Sequence, residues 1–444
     1  MRLDLAQATR VVEDAAQPHF RGRVEVVSGV MVEAEGVPAA LGELCRIDRG
    51  VLGPIDAEVV GFRGTRTLLM PHGDLQGIAP QQPVTALGRP FEVQVGAPLL
   101  GRVLDGFGQP ADGRGLPTGL ARRPLHREAP APAERTPIRE VLPTGVRALD
   151  GLCTLGKGQR MGIFAGSGVG KSTLMGQVTR GTTADVIVVC LVGERGREVR
   201  EFLEEVLGDE GRARSVCVVA TSDRPPIERW MAPFVATTIA EEYRDQGLDV
   251  LLLMDSVTRF AAASREIGLA AGEPPTVRGY PPSFFATVPR LVERMGQTSS
   301  GSITALLTVL VDGDDLDEPV SDTLRGLLDG HLVLSRELAH KGHFPAIDPL
   351  KSLSRLMPKL ASPEHAEAAR TMRRDLATHA EGKDLIEVGA YKPGTNPGLD
   401  LAVARVPVID VFLQQAEGDL TPLEETLEMM RLVTADPADA EVTS

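Results

Sequence analysis

The run Ala165-Gly166-Ser167-Gly168-Val169-Gly170-Lys171-Ser172 follows the apolar stretch Met161-Gly162-Ile163-Phe164 and opens into Thr173-Leu174-Met175-Gly176-Gln177-Val178. A strand, a glycine loop and then a helix is the context in which such a run holds phosphate. Glycines let consecutive backbone N–H groups turn toward one set of oxygens, and the first helical turn adds unpaired donors and the positive end of its dipole. On this reading Gly166, Ser167, Gly168, Val169, Gly170, Lys171 and Ser172 cradle the phosphates of a nucleotide. Lys171 reaches the β- and γ-phosphates, and the Ser172 hydroxyl ligates Mg²⁺. The strict pattern begins with glycine; here Ala165 stands in that place, which makes this a relaxed variant.

Beyond the loop, apolar runs alternate with helical patterns. Residues 186–192 and 250–254 are wholly apolar and 215–220 nearly so, as expected for parallel strands covered on both faces. Between the first and the last-named run, Val199, Phe202, Leu203, Val206 and Leu207 recur at helical spacing over 197–207, with Gly208 placed to end the helix. Arg197/Glu201 and Arg200/Glu204 sit one turn apart on its wet side. The alternation predicts a doubly wound α/β domain.

Two acids gain roles from that topology. Asp255 ends the run 250–254, which puts its carboxylate at the C-terminal edge of the sheet, where ligands of open α/β sheets bind. There it can hold Mg²⁺ directly or through water. Glu194 follows the run 186–192 and is expected on the same edge, where a carboxylate facing the γ-phosphate orients and polarises an attacking water.

The flanks differ from this core. The chain has 444 residues, a length that suits two to four domains. Residues 1–18 carry a short amphipathic pattern ending at Pro18, expected to be a segment that orders on a partner. Over 19–90, short β-branched runs (24–32, 57–62, 67–70) are punctuated by Gly and Pro, which predicts a small β-barrel. An RNA-binding barrel would carry aromatics for base stacking, and residues 20–90 offer only Phe20 and Phe62. A net charge of −14 argues the same way, against a nucleic-acid partner. The Pro-rich stretch 124–137 reads as an extended connector.

After residue 358 the patterns are helical. Ser362-Pro363-Glu364 gives a cap and a first-turn proline, and Thr421-Pro422-Leu423-Glu424 has capping-box spacing. Residues 435–444 are small and acidic and are expected to be disordered. The acidic run around Asp312, Asp314, Asp315, Asp317 and Glu318 lacks the glycine and terminal glutamate of a calcium hand and reads as a solvated turn. The cysteines Cys45, Cys153, Cys190 and Cys217 lie far apart, as buried thiols of a reducing compartment do. No apolar run approaches the ~18 residues of a membrane span, and the N-terminus lacks a signal-peptide core, so a cytoplasmic protein is expected.

The runs 193–199, Asp255-Ser256-Val257-Thr258-Arg259-Phe260, Gly272-Glu273-Pro274-Pro275, Gly279-Tyr280-Pro281-Pro282-Ser283 and Gly301-Ser302-Ile303-Thr304-Ala305 resemble the ATPases that energise type III protein secretion and flagellar export. These are relatives of the catalytic subunits of rotary ATP synthases, and the resemblance runs from about residue 20 to about 415. It implies an N-terminal β-barrel (19–90), a RecA-like P-loop core (91–358) and a C-terminal helical domain (359–434), assembled as a homohexamer with ATP and Mg²⁺ at the subunit interfaces. By the same resemblance Lys171 and Ser172 are the phosphate and Mg²⁺ residues, Glu194 the catalytic base, Arg195 a phosphate-contacting arginine and Asp255 the strand-end acid. Arg355 matches an arginine finger that enters the neighbouring subunit's site. Phe344 resembles the aromatic that packs on adenine, with Tyr391 as its second wall.

The implied partners are a peripheral stator protein at the N-terminal segment, a central coiled-coil stalk protein facing the loops of 272–283, an export gate, and chaperone–substrate complexes at the C-terminal domain. Residence is implied at the inner face of the bacterial plasma membrane, held there by partners. Three other readings share the core: a hexameric RNA translocase like the transcription terminator Rho, a rotary-synthase catalytic subunit, and a regulatory subunit that binds nucleotide without turnover. Glu194 and Arg355 together speak against the last.

Overall fold

The structure is a computed structural model that describes residues 21–311, 315 and 317–435. The docking segment expected over 1–18 lies outside the described residues, as do Asp312, Asp314 and the tail beyond Ala435.

The first strands are β1 (Arg21–Ser28), β2 (Met31–Glu35), β3 (Glu43–Ile47), β4 (Ile55–Arg63), β5 (Arg66–Pro71) and β6 (Pro83–Pro90). They pair antiparallel in the order β1-β2-β5-β4-β3-β6 and close as a barrel. Closure removes the free edges that a short sheet would expose. The run expected as one stretch over 24–32 is two strands, because Gly29 (φ 60°) turns the chain between them. Alternate residues point inward, and Val24, Val32, Cys45, Ile47, Val59 and Leu69 fill the interior.

A nine-stranded sheet forms the centre of the molecule. Its order is Leu353–Ser354, Gly330–Leu334, Arg160–Ala165, Ser302–Leu310, Asp249–Asp255, Val186–Val192, Ser215–Ala220 and Val103–Asp105, with Gly296–Gln297 paired at the side of Ser302–Leu310. All are parallel except the two-residue strands Leu353–Ser354 and Gly296–Gln297. The apolar runs read from the sequence are these buried strands; Val186–Val192 is buried at every position. Two apolar layers result. Helix Pro226–Asp245 packs one face through Met231, Val235 and Ile239, and helix Lys171–Gly181 packs the other through Leu174, Met175 and Val178.

The helix expected over 197–207 is less regular. It runs α-helical over Gly196–Glu201 and widens into a π-helical turn over Phe202–Val206. Gly208, at φ 61°, separates that turn from the residues 209–213 of the next short helix. Arg200 and Glu204 do pair, at 2.9 Å.

Three helices, Pro363–Glu387, Pro397–Leu413 and Leu423–Thr434, form the C-terminal part. Ser362 caps the first, its hydroxyl accepting from His365 N–H. The capping box expected at Thr421 does not form: Pro422 takes the cap position, and the Thr421 hydroxyl instead accepts from Arg147 at 3.0 Å. All four cysteines are buried and free. Among the described residues no helix is long and apolar enough to cross a membrane.

Candidate active site

The strand Arg160–Ala165 stops at the C-terminal edge of the sheet, and its chain turns through residues 166–170 into helix Lys171–Gly181. Ala165 is tolerated at the head of the loop because it is still strand, paired with Leu310 on one side and Leu334 on the other. The positive backbone angles fall later, on Gly168 (φ 77°) and Gly170 (φ 88°). Gly170 occupies the helix cap position with no side-chain hydrogen bond there. The first-turn N–H groups are therefore left to an incoming anion. Ser167, Gly168 and Ser172 are exposed, and Val169 is buried beneath the loop.

Strand order decides which side chains meet this loop. Asp255 ends the strand one place removed from Arg160–Ala165, across Ser302–Leu310. Thr308 on that intervening strand donates to Asp255 Oδ1 at 2.7 Å, and Lys171 Nζ approaches the same oxygen at 2.5 Å. Glu194 follows the next strand, Val186–Val192, and its Oε1 lies 3.7 Å from Lys171 Nζ. The three expected residues are thus brought together, with the ammonium between two carboxylates.

Burial beside Asp255 has a titration consequence. Desolvation, then the negative charge of Asp255, push the Glu194 carboxyl up to about 7, with Lys171 opposing. A hydrogen bond to Glu198, in the first turn of the following helix, pushes Glu194 up further and is the main cause that holds the Glu198 carboxyl below the ordinary range. A carboxyl poised near neutrality at a ligand edge suits proton transfer. Arg195 lies beside it, exposed, with its guanidinium 3.3 Å from Glu198.

A cavity of about 520 Å³ opens beside the loop helix. Gly170, Thr173 and Gln177 line one side, Phe344 and Pro345 another, and Gln414, Gln415, Ala416 and Glu417 a third. The Phe344 ring faces Gly170 so closely that a Cβ there would lie 3.4 Å from it. Half-exposed beside a phosphate loop, this ring is placed to stack on a nucleobase. Tyr391 is not part of the cavity. It lies in the turn between helices Pro363–Glu387 and Pro397–Leu413, where Asp400 accepts its hydroxyl proton. The wall facing Phe344 in this cavity is the segment 414–417, and not Tyr391 as the resemblance implied.

Arg355 stands apart from the loop, exposed, its guanidinium donating to Arg325 O at 3.1 Å and its N–H to Asp329 O at 2.9 Å. It follows Leu353–Ser354, the strand at one end of the sheet. That strand pairs with the beginning of Gly330–Leu334, at the end of the sheet opposite the glycine loop.

The chain has known relatives. Residues 145–354 match the nucleotide-binding domain of the ATP synthase alpha/beta family, and 361–432 match the C-terminal domain of the type III secretion ATPase EscN. The flagellum-specific ATP synthase of Bacillus subtilis is 51% identical over 94% of this chain and 95% of the relative. The type 3 secretion system ATPase of Xanthomonas euvesicatoria is 53% identical over 94% of each. The chain belongs to the flagellar and type III secretion ATPases.

Members of this family hydrolyse ATP, and this chain is an export ATPase. The solved structure of the assembled ATPase EscN from the type III secretion system of enteropathogenic E. coli is 44% identical and superposes with a TM-score of 0.89, covering 93% of this chain and 100% of that one. EscN in complex with its central stalk EscO is 43% identical, with a TM-score of 0.86 over 93% of this chain and 100% of that one. Barrel, RecA-like core and helical domain are therefore the family's architecture. The RNA-translocase alternative gains no support from these relatives.

Some residues of the site were invisible to motif reading. Arg336 packs its guanidinium on the loop, where a Cβ on Gly166 would lie 2.6 Å from it. Gln177 and the segment 414–417 build the cavity beside the loop helix, with Gln177 Nε2 donating to Ala416 O at 2.9 Å. Nothing in the spacing of 414–417 announces this, because its role follows from where helix Pro397–Leu413 happens to end.

Proposed function

We propose that this export ATPase works as a homohexameric ring in which each ATP is held by one subunit and completed by the next. The observation that carries the reading is the placement of Lys171 between Asp255 and Glu194 at the mouth of the phosphate loop, with Arg355 remote and exposed. Lys171 and the loop N–H groups bind the β- and γ-phosphates, and Phe344 packs on the adenine. Glu194 orients the attacking water and takes its proton as the γ-phosphoryl group leaves ADP. Arg195 contacts the phosphates, and Arg355 of each subunit reaches the neighbour's γ-phosphate.

Mg²⁺ fits the donors present. Ser172 offers an exposed hydroxyl and Asp255 a carboxylate. Among the described residues no three His, Cys, Asp or Glu side chains cluster as a cage. That set suits an ion held by one or two protein oxygens, water and substrate phosphates. Bound there, Mg²⁺ would neutralise charge on the phosphate oxygens.

The domains we assign as 19–90, 91–358 and 359–434 give the ring its contacts. The loop over 272–283 would face a coiled-coil stalk. Tyr280 anchors it, packed 5.1 Å from Phe284, while Val277 and Arg278 stay exposed at its tip. The complex of the related EscN with its central stalk EscO supports such a partner. A stator protein at residues 1–18, an export gate, and chaperone–substrate complexes at the helical domain would hold the ring at the cytoplasmic face of the membrane. Hydrolysis would then drive chaperone release, unfolding and delivery of exported proteins.

The test is Mg²⁺-dependent ATP hydrolysis measured against protein concentration. Specific activity should climb steeply as the ring assembles. Activity that is flat from dilute monomer upward would show each subunit to be self-sufficient and overturn the shared site.

A further inference from the structure

Helix Pro397–Leu413 ends immediately before the segment that walls the base cavity. The last carbonyls of a helix have no partner within it and carry the negative end of its dipole. Here a cation from a distant part of the chain meets them. Arg147, the first residue of helix Arg147–Leu152, donates through Nε to Phe412 O at 2.8 Å and through one terminal nitrogen to Gln414 O. Its other terminal nitrogen donates to the Asp419 carboxylate at 3.1 Å and to the Thr421 hydroxyl at 3.0 Å. Its backbone N–H reaches the side-chain carbonyl of Gln415 at 2.9 Å.

The side-chain amide of Gln415 completes the tie by donating to Gly145 O and Asp419 O, both at 2.7 Å. Arg147 is only 8% exposed, so these acceptors stand in for nearly all of its water. On its opposite side the same segment lines the cavity beside the loop helix. Gln415 N–H donates to Phe344 O at 2.8 Å, and Ala416 O accepts from Gln177 at 2.9 Å. A continuous strut therefore runs from Arg147 through residues 414–416 to the base-stacking ring. Arg147 is absent from the cavity lining.

We propose that Arg147 is a positioning residue for the nucleotide base: by fastening residues 412–421 it sets the width of the slot between Phe344 and the segment 414–417. This rests on reading the cavity as the base site. Three nitrogens in one plane meet four acceptors, a pattern that a lysine, with its single nitrogen, does not reproduce. The base then finds a slot already formed, and the ordering cost of closing it is met by folding.

The experiment compares Mg²⁺-ATP with Mg²⁺-tripolyphosphate, which offers the phosphates without the base, by calorimetry on wild type, Arg147→Lys and Thr421→Val. Arg147→Lys should weaken ATP binding at least about fivefold and leave tripolyphosphate within about twofold, as expected when charge-assisted hydrogen bonds that shape only the base slot are lost. In turnover, KM for ATP should rise while kcat stays within about twofold. Thr421→Val, which removes one neutral acceptor, should shift the ATP-to-tripolyphosphate ratio in the same direction and carries the test if Arg147→Lys does not fold. Parallel loss of both ligands, or no loss of ATP, would overturn the positioning role. If wild type binds both equally, the cavity is not the base site and the reading beneath this one falls first.

Discussion

Lys171 Nζ lies 2.5 Å from Asp255 Oδ1 and 3.7 Å from Glu194 Oε1, although the three residues end or follow three different strands. One ammonium thus offsets two carboxylates at the place where phosphate charge must enter. Removing it leaves Asp255 and Glu194 without the ammonium that lies between them. Lys171→Met should therefore cut kcat/KM by about a thousandfold or more, in line with the loss of a group that stabilises developing phosphoryl charge. Calorimetry should show ATP binding weakened as well, because the loss acts before the chemical step. Activity within about tenfold of wild type would remove Lys171 from the phosphate site.

The raised Glu194 carboxyl predicts the pH profile. With its carboxyl near 7, kcat/KM should fall on the acid side of neutrality as the base is protonated. Glu198→Gln removes a carboxylate whose hydrogen bond and charge push Glu194 up, so the acid limb should move to lower pH. Stability gives an independent readout. A carboxyl raised in the folded state favours folding below its unfolded value near 4.5 and loses that contribution as pH rises to about 7. Glu194→Gln should accordingly raise the melting temperature relative to wild type at pH 8 and not at pH 4. An acid limb unmoved by Glu198→Gln would assign it to another group.

What could be read in advance and what could not divide along physical lines. The loop, Asp255 and Glu194 were legible because strand–loop–helix order and strand ends fix their places in a parallel sheet. The barrel was legible as closely spaced β-branched runs, though not the turn at Gly29 that splits the first of them. Arg147, Gln177 and the segment 414–417 were not, since their roles arise from contacts between chain segments more than 200 residues apart. Thr421 shows the same limit: its spacing fits a local cap, and a tertiary partner took its hydroxyl first.

The two aromatics expected to wall the adenine should separate cleanly. Phe344 lines the cavity beside Gly170, whereas the Tyr391 hydroxyl is held by Asp400 in a turn of the helical domain. Phe344→Ala should raise KM for ATP about tenfold, the scale of a lost stacking contact, with a smaller change in kcat. Tyr391→Phe should leave KM within about twofold and lower the melting temperature slightly through the lost hydrogen bond. Steady-state kinetics on both variants decide the matter, and a raised KM in Tyr391→Phe would return that residue to the nucleotide site.

Arg355 makes the strongest demand on assembly. Its guanidinium is exposed and donates to the main-chain carbonyl of Arg325, and among the described residues no carboxylate pairs with it. A loose phosphoryl-transfer transition state gains about 10³ to 10⁵ in rate from a guanidinium at its equatorial oxygens. Arg355→Ala should therefore bind ATP near normally and turn it over hardly at all. Glu194→Gln should be equally inactive, because its own base is missing. If the arginine acts across the interface, mixing the two dead proteins creates sites in which an intact Glu194 meets an intact Arg355 from the neighbour. Activity should then return at mixed interfaces, rising with the fraction of such pairs. A mixture that stays inactive, although both variants assemble as wild type does, would confine Arg355 to its own subunit and remove the reason for a shared site.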